Sequence, residues 1–307
     1  MNTLFTTSFV FAVLRAASPI LLATMGSVVT ERAGTSNIGV EGMMLGGAFA
    51  AAATSIATGS AWLGLAAGLS TGVILALVMA FAVIELDSDL IVSGFAINLF
   101  AAGFTVLLLS ELFDSKGAVI RPDMDKLPTV DLPFLGDVPV LGALDGQNIM
   151  VWFALVSIAI TFVLLFRTRF GLHVRAVGED PGASLAAGVP VRRVKYMALT
   201  VGGVAAGLAG TNLSIGYLSG FTRDMAAGRG FIALAAALFG RRHPVGAAIA
   251  AILFGAADAA GTRLQGKGIP SQFVLMLPYV VTAAAVALVA IRSTRRRRTA
   301  LTTVATQ

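Results

Sequence analysis

The chain has 307 residues, of which 57% are hydrophobic and only 12% charged. A soluble domain of this length needs about twice that charge to cover its surface, so a freely soluble fold is excluded. There are no cysteines, which excludes disulfides, thiolate metal sites and cysteine nucleophiles and leaves the redox compartment open. Apolar runs divide the chain at 8–29, 37–58, 62–84, 89–113, 150–166, 196–218, 243–262 and 271–291, with a shorter run at 229–240. The longer runs approach or exceed the ~20 helical residues that cross about 30 Å of hydrocarbon. The expectation is an all-α integral membrane protein, a single transmembrane domain over 1–307. It has about eight full spanning helices plus one short or re-entrant helix, arranged in two loosely related halves.

The first run has no basic leader and carries Arg15 near its middle, so it reads as a retained span and not as a cleaved signal. The stretch ERAGTSNIGVEGMMLGGAFAA, 31–51, opens in a charged turn and enters a glycine-rich helix. Asn37 suits the cap of that helix. Glu41, one turn further on, is costly in lipid unless it meets a wet cavity or a partner. Asn98 and Asn212 are polar groups inside spans; each can line a pathway or bond a neighbouring helix, and interhelical bonding is the commoner use. Arg15 and Arg229 are candidate partners for Glu41, Asp224 or Asp258.

Loop charge sets the orientation. The segment 167–195 holds Arg167, Arg169, Arg175, Arg192, Arg193 and Lys195 against two acids, and the tail 292–307 holds five arginines and no acid. The loop 114–148 holds three basic residues against six aspartates. The first two are therefore expected to be cytoplasmic and the loop external, with the N-terminus outside and the C-terminus inside. Parity requires 229–240 and 243–262 together to return the chain to the outside, either as a short descending helix plus an ascending one or as a re-entrant hairpin. The formal charge of +6 sits in these turns and in the tail, a placement that fits anchoring to anionic lipid and not nucleic acid.

Within 167–195, Asp180 is a good N-cap, Pro181 suits the first helical position, and Gly188 with Pro190 stops the helix. The expected element is about two turns long, too short to stand alone, and gains order by docking on a partner. The third stretch, GRGFIALAAALFGRRHPVGAAIAAILFGAADA at 228–259, again leads from a glycine turn into a short apolar helix. Interrupted segments in both halves are the pattern of transporters built around a central pathway. His173 and His243 lie far apart and no metal site is expected. No GxxxxGK[ST] loop or HExxH motif is present, and no catalytic residue is assigned.

The segments ERAGTSNIGVEGMMLGGAFAA, RAVGEDPGASLAAGV and GRGFIALAAALFGRRHPVGA resemble hallmark segments of bacterial ABC importer permeases of the sugar and branched-chain amino acid group. They look most like the nucleoside-importer permeases; ribose-type permeases carry a GGIDLS-like segment where this chain has SNIGVEG. The resemblance covers about residues 10–290. It implies a permease subunit of the bacterial cytoplasmic membrane that forms half of a nucleoside pathway beside a second, non-identical permease. It also implies two cytoplasmic ATP-binding subunits, which use the ATP and magnesium, and an extracellular solute-binding lipoprotein; this chain itself binds no cofactor. On this likeness Gly178, Glu179, Asp180, Pro181, Ala183, Leu185, Ala186 and Gly188 would form the ATPase-coupling element. Asn37, Glu41, Asn98, Asn212 and Phe231 are the candidates for the pathway. The alternatives are a permease for a simple sugar such as ribose, a stand-alone carrier or channel, and a membrane enzyme.

Overall fold

The computed structural model describes residues 7–131 and 141–265. Ten helices and four short strands follow in the order α1 (Thr7–Arg32), α2 (Val40–Thr58), α3 (Ala61–Glu85), α4 (Leu90–Phe113), β1 (Ala118–Ile120), β2 (Thr129–Val130), β3 (Gln147–Asn148), α5 (Ile149–Arg167), α6 (Arg169–Glu179), α7 (Pro181–Ala186), α8 (Val191–Thr211), β4 (Gly220–Thr222), α9 (Arg229–Phe239) and α10 (Pro244–Gln265). Among the described residues, seven helices are long and apolar enough to cross a membrane, and α9 is a shorter apolar helix. The expected spans from 8–29 to 243–262 each coincide with one of the seven; the run 271–291 and the tail lie outside the described residues.

The helix ends follow local chemistry. Ser60, Asp89, Asn148, Thr168 and Asp180 cap α3, α4, α5, α6 and α7, each accepting a backbone N–H from the first turn. In α1, Pro19 lacks the N–H that would bond the carbonyl of Arg15. The Ser18 hydroxyl donates to that carbonyl instead, at 3.0 Å, so the helix continues through the proline with its backbone satisfied.

Helices α1, α2 and α8 are mostly buried along their lengths, whereas α3, α4 and α5 are each only 28% buried over their apolar stretch. The inner helices are correspondingly rich in small residues. Gly72 faces the carbonyl of Gly203 and the backbone of Gly207, and the Gly68 carbonyl closes on Gly207. Four-residue spacing of glycine on both helices lets α3 and α8 touch backbone to backbone. Gly72→Val is therefore expected to cost about 1–3 kcal/mol of stability, read as a lowered unfolding temperature of the detergent-purified protein. Gly103→Val is the control, since nothing lies within 4 Å of a side chain added there.

The strands sit at one end of the bundle. β1 pairs antiparallel with β4, and β2 with β3. Gln147 donates to the carbonyl of Phe11 in α1 at 3.1 Å, and the Ser55 hydroxyl of α2 donates to the Asp125 carbonyl at 2.8 Å. The described parts of this loop, 114–131 and 141–148, thus fold back onto the helices. At the other end lie α6 and α7, the α1 terminus and the α9–α10 turn, where Arg32 Nε donates to the Arg242 carbonyl at 2.6 Å. α9 therefore runs toward the α6–α7 end and α10 runs away from it, which is the first of the two arrangements that parity allowed. Two boundaries differ from expectation: α8 begins at Val191 and continues as a π turn over Asn212–Tyr217, and 167–195 holds two helices where one short helix was expected. Thr168 supplies the unforeseen cap, accepting from Gly171 N at 3.1 Å.

Candidate functional site

Two helices start inside the bundle, and their first turns meet. α2 begins at Val40 and α9 at Arg229, and neither has a side-chain cap from its own N-cap residue, Gly39 or Gly228. A helix start leaves N–H groups without partners, which is costly away from water. Side chains from neighbouring helices supply them. The Glu41 carboxyl accepts from Gly228 N at 2.7 Å on one oxygen and from Gly230 N at 2.6 Å on the other. Asn98 in α4 accepts from Gly42 N at 2.7 Å and donates to the Ile38 carbonyl at 2.9 Å. Glu41 thus caps α9 from α2, and Asn98 fastens the start of α2 to α4.

Of the acids left open for Arg229, the structure pairs it with Asp258 of α10, at 3.1 Å, and the Glu41 carboxyl takes backbone N–H groups. Asn37 does not cap α2. It is fully buried, its amide nitrogen lies 3.3 Å from the Met43 sulfur, and its oxygen has no hydrogen-bond partner among the described residues. The chain turns at Gly34, with φ +68°, and folds back into the bundle before the helix begins, which moves the cap to Gly39. Asn212 donates to the Ser18 hydroxyl at 2.8 Å, an interhelical bond between α1 and the π turn after α8. Phe231 is 39% exposed on the first turn of α9, and its ring centroid lies 6.2 Å from that of Phe95 in α4. The structure therefore gathers Glu41, Asn98 and Phe231 around the two helix starts and leaves Asn37 and Asn212 in the interior.

The second candidate region is the α6–α7 end. Asp180 Oδ1 accepts from Ala183 N at 2.9 Å, Pro181 occupies the first turn, and Gly188 takes φ +82° to end the helix region. Leu185 is 66% exposed. It lines a shallow groove of about 650 Å³ with Pro181, Gly182, Pro190, Val191, Arg192 and Arg193. This element is tied to the bundle on two sides. Gly178 lies so close to the carbonyl of Arg32 that it has no room for a side chain. Arg192 pairs with Glu85 at the end of α3, which also accepts from the Tyr196 hydroxyl at 3.3 Å. Residues for which the sequence named no contact join the same end. Arg242 bridges Glu31 at 3.5 Å, His243 packs against Phe166 at 5.3 Å, and Arg175 lies 5.2 Å over the Phe166 ring. The signal for this cluster was the GRRHP turn itself, but nothing local in it names Glu31 as the acid it meets.

The family model described as branched-chain amino acid transport system / permease component matches residues 9–296. The chain belongs to this permease family. It is 36% identical to the guanosine ABC transporter permease protein NupQ of Bacillus subtilis over 87% of this chain and 86% of that one. It is 32% identical to the nucleoside ABC transporter permease protein NupC of Lactococcus lactis over 89% of each chain. The putative glucose ABC transporter permease protein of Haloferax volcanii is 35% identical over 83% of this chain and 77% of that one. No solved structure matches the chain. The protein is a multi-pass ABC transporter permease subunit, a non-catalytic component. The contacts of Glu41 and Asn98 fasten the starts of α9 and α2 to their neighbours.

Proposed function

We propose that this permease subunit forms half of the pathway for nucleoside uptake. The observation that carries the substrate is full-length similarity to two relatives named for guanosine and nucleosides. A simple sugar is the second reading, favoured by the relative named for glucose at 35% identity. Partner ATP-binding subunits dock on α6 and α7, where Gly178, Glu179, Asp180, Pro181, Ala183, Leu185, Ala186 and Gly188 form the coupling element. The capped geometry of α7 and the exposed Leu185 beside a groove with two arginines support this docking. On this reading the α6–α7 end and the tail are cytoplasmic, the N-terminus and the strands are external, and a solute-binding lipoprotein delivers substrate to the strand end. The chain binds no cofactor; ATP and magnesium belong to the partner subunits.

ATP-driven movement of the α6–α7 element reaches the α9–α10 turn through the Arg32, Glu31 and Arg242 contacts. From there α9 transmits it to α2 through Glu41. The test is uptake of labelled guanosine, adenosine, uridine, ribose and glucose by the reconstituted complex. Nucleosides are expected to enter in an ATP-dependent manner. Uptake of ribose or glucose with no nucleoside uptake overturns the substrate.

A further inference from the structure

The outside of the described bundle is mostly regular helix carrying large apolar side chains, such as Ile74, Leu77 and Phe81 on α3, Val156 and Ile160 on α5, and Leu253 on α10. Those surfaces suit lipid. One strip does not. Between β4 and α9 the chain is non-helical over 223–228, and Arg223, Asp224 and Ala227 are exposed there. Asp224 and Ala227 take φ of 56° and 48°, a conformation sparsely populated by side-chain-bearing residues. The segment lies within the length of α2, because Phe221 just before it packs edge-on against Phe49 at 5.2 Å and Gly228 at its end binds Glu41. Irregular backbone and charge at that depth are tolerated only against protein or water.

Directly below this strip, α4 and α9 present Phe95 and Phe231, 54% and 39% exposed, with α2 and Glu41 between the helices. Phe231 lies eight residues before the end of α9, about 12 Å from the α9–α10 turn. The helix dipole of α9 is already met by Glu41, so this region is not built to attract an anion. Two exposed rings under a polar loop fit a neutral solute with a planar ring and hydroxyls.

We infer that the α4–α9 face, made by Phe95, Phe231 and the loop 223–228, is this subunit's lining of the solute pathway, with the two phenyl rings stacking on the nucleobase. The inference rests on the nucleoside reading for its ligand and on the loop geometry for its location. Because the chain has no cysteine, single cysteines report it directly. In the assembled transporter Ala227→Cys and Phe231→Cys are expected to react with a membrane-impermeant methanethiosulfonate, more slowly when guanosine and its binding protein are present. Ile160→Cys, on the exposed apolar face of α5, is expected to stay unlabelled. Phe231→Leu should lower the guanosine uptake rate at least about 5-fold, with the rate restored by Phe231→Tyr, which keeps the ring. Failure of both Ala227→Cys and Phe231→Cys to label overturns the face. Uptake at the wild-type rate in Phe231→Leu, or no recovery in Phe231→Tyr, overturns the stacking. If the wild-type complex carries only ribose, yet ribose slows labelling of Ala227→Cys, the nucleoside reading and the stacking fall while the pathway face stands.

Discussion

Transport and stimulated ATP hydrolysis are expected to disappear in the double variant Asp180→Lys with Gly188→Val, while the amount of protein in the membrane stays unchanged. Asp180 holds the start of α7 by accepting from Ala183 N at 2.9 Å, and losing such a cap costs about 1 kcal/mol. Gly188 sits at φ +82°, where a β-branched residue is strained by roughly 1–2 kcal/mol. α7 has only six residues and no reserve of internal hydrogen bonds to absorb either loss. The spanning helices bury their own surface without it, so insertion survives. Membrane fractions probed for the protein, uptake in vesicles and ATPase activity of the reconstituted complex check the three parts. Normal uptake in this variant would point to a carrier that needs no ATPase on this element.

The second large effect is expected at Glu41. In Glu41→Ala, Gly228 N and Gly230 N lose their acceptor at the start of α9. An orphaned buried donor costs about 1–3 kcal/mol. The substitution also cuts the link between α9 and α2, so uptake should fall at least about 10-fold, further than the loss of stability alone would take it. Glu41→Gln keeps one carbonyl oxygen and sets an amide N–H₂ where the second acceptor stood, so it should fall between wild type and alanine in both uptake and unfolding temperature. Equal behaviour of the alanine and glutamine variants would mean that the carboxyl does not hold α9. Glu41→Asp tests reach. It retains both oxygens on a side chain one methylene shorter, and is expected to recover less activity than glutamine if distance, and not charge, limits the cap.

The sequence determined those features of this protein that depend on neighbours within a turn or on the bulk solvent. Run length against the hydrocarbon thickness placed the seven long helices, and side-chain caps such as Asp180, together with Pro181 and Gly188, marked the short helix between them. These are local or one-dimensional constraints, legible because each residue acts on backbone a few positions away. Three motifs were enough to indicate the family, because they combine such local signals in a fixed order.

The tertiary structure alone decided which polar groups meet. Glu41 finds the N–H groups of Gly228 and Gly230 across 187 and 189 positions, Asn212 finds Ser18 across 194, and Arg242 finds Glu31. Asn37 shows the same limit from the other side: it is a good cap by residue type, yet the fold-back after Gly34 takes it into the interior and leaves the cap at Gly39. In a bundle of similar apolar helices, packing energy is spread over many small contacts, so the helix register that brings these pairs together is a property of the whole assembly. No short window of sequence carries it, which is why the cap on α9 becomes visible only when α2 lies beside it.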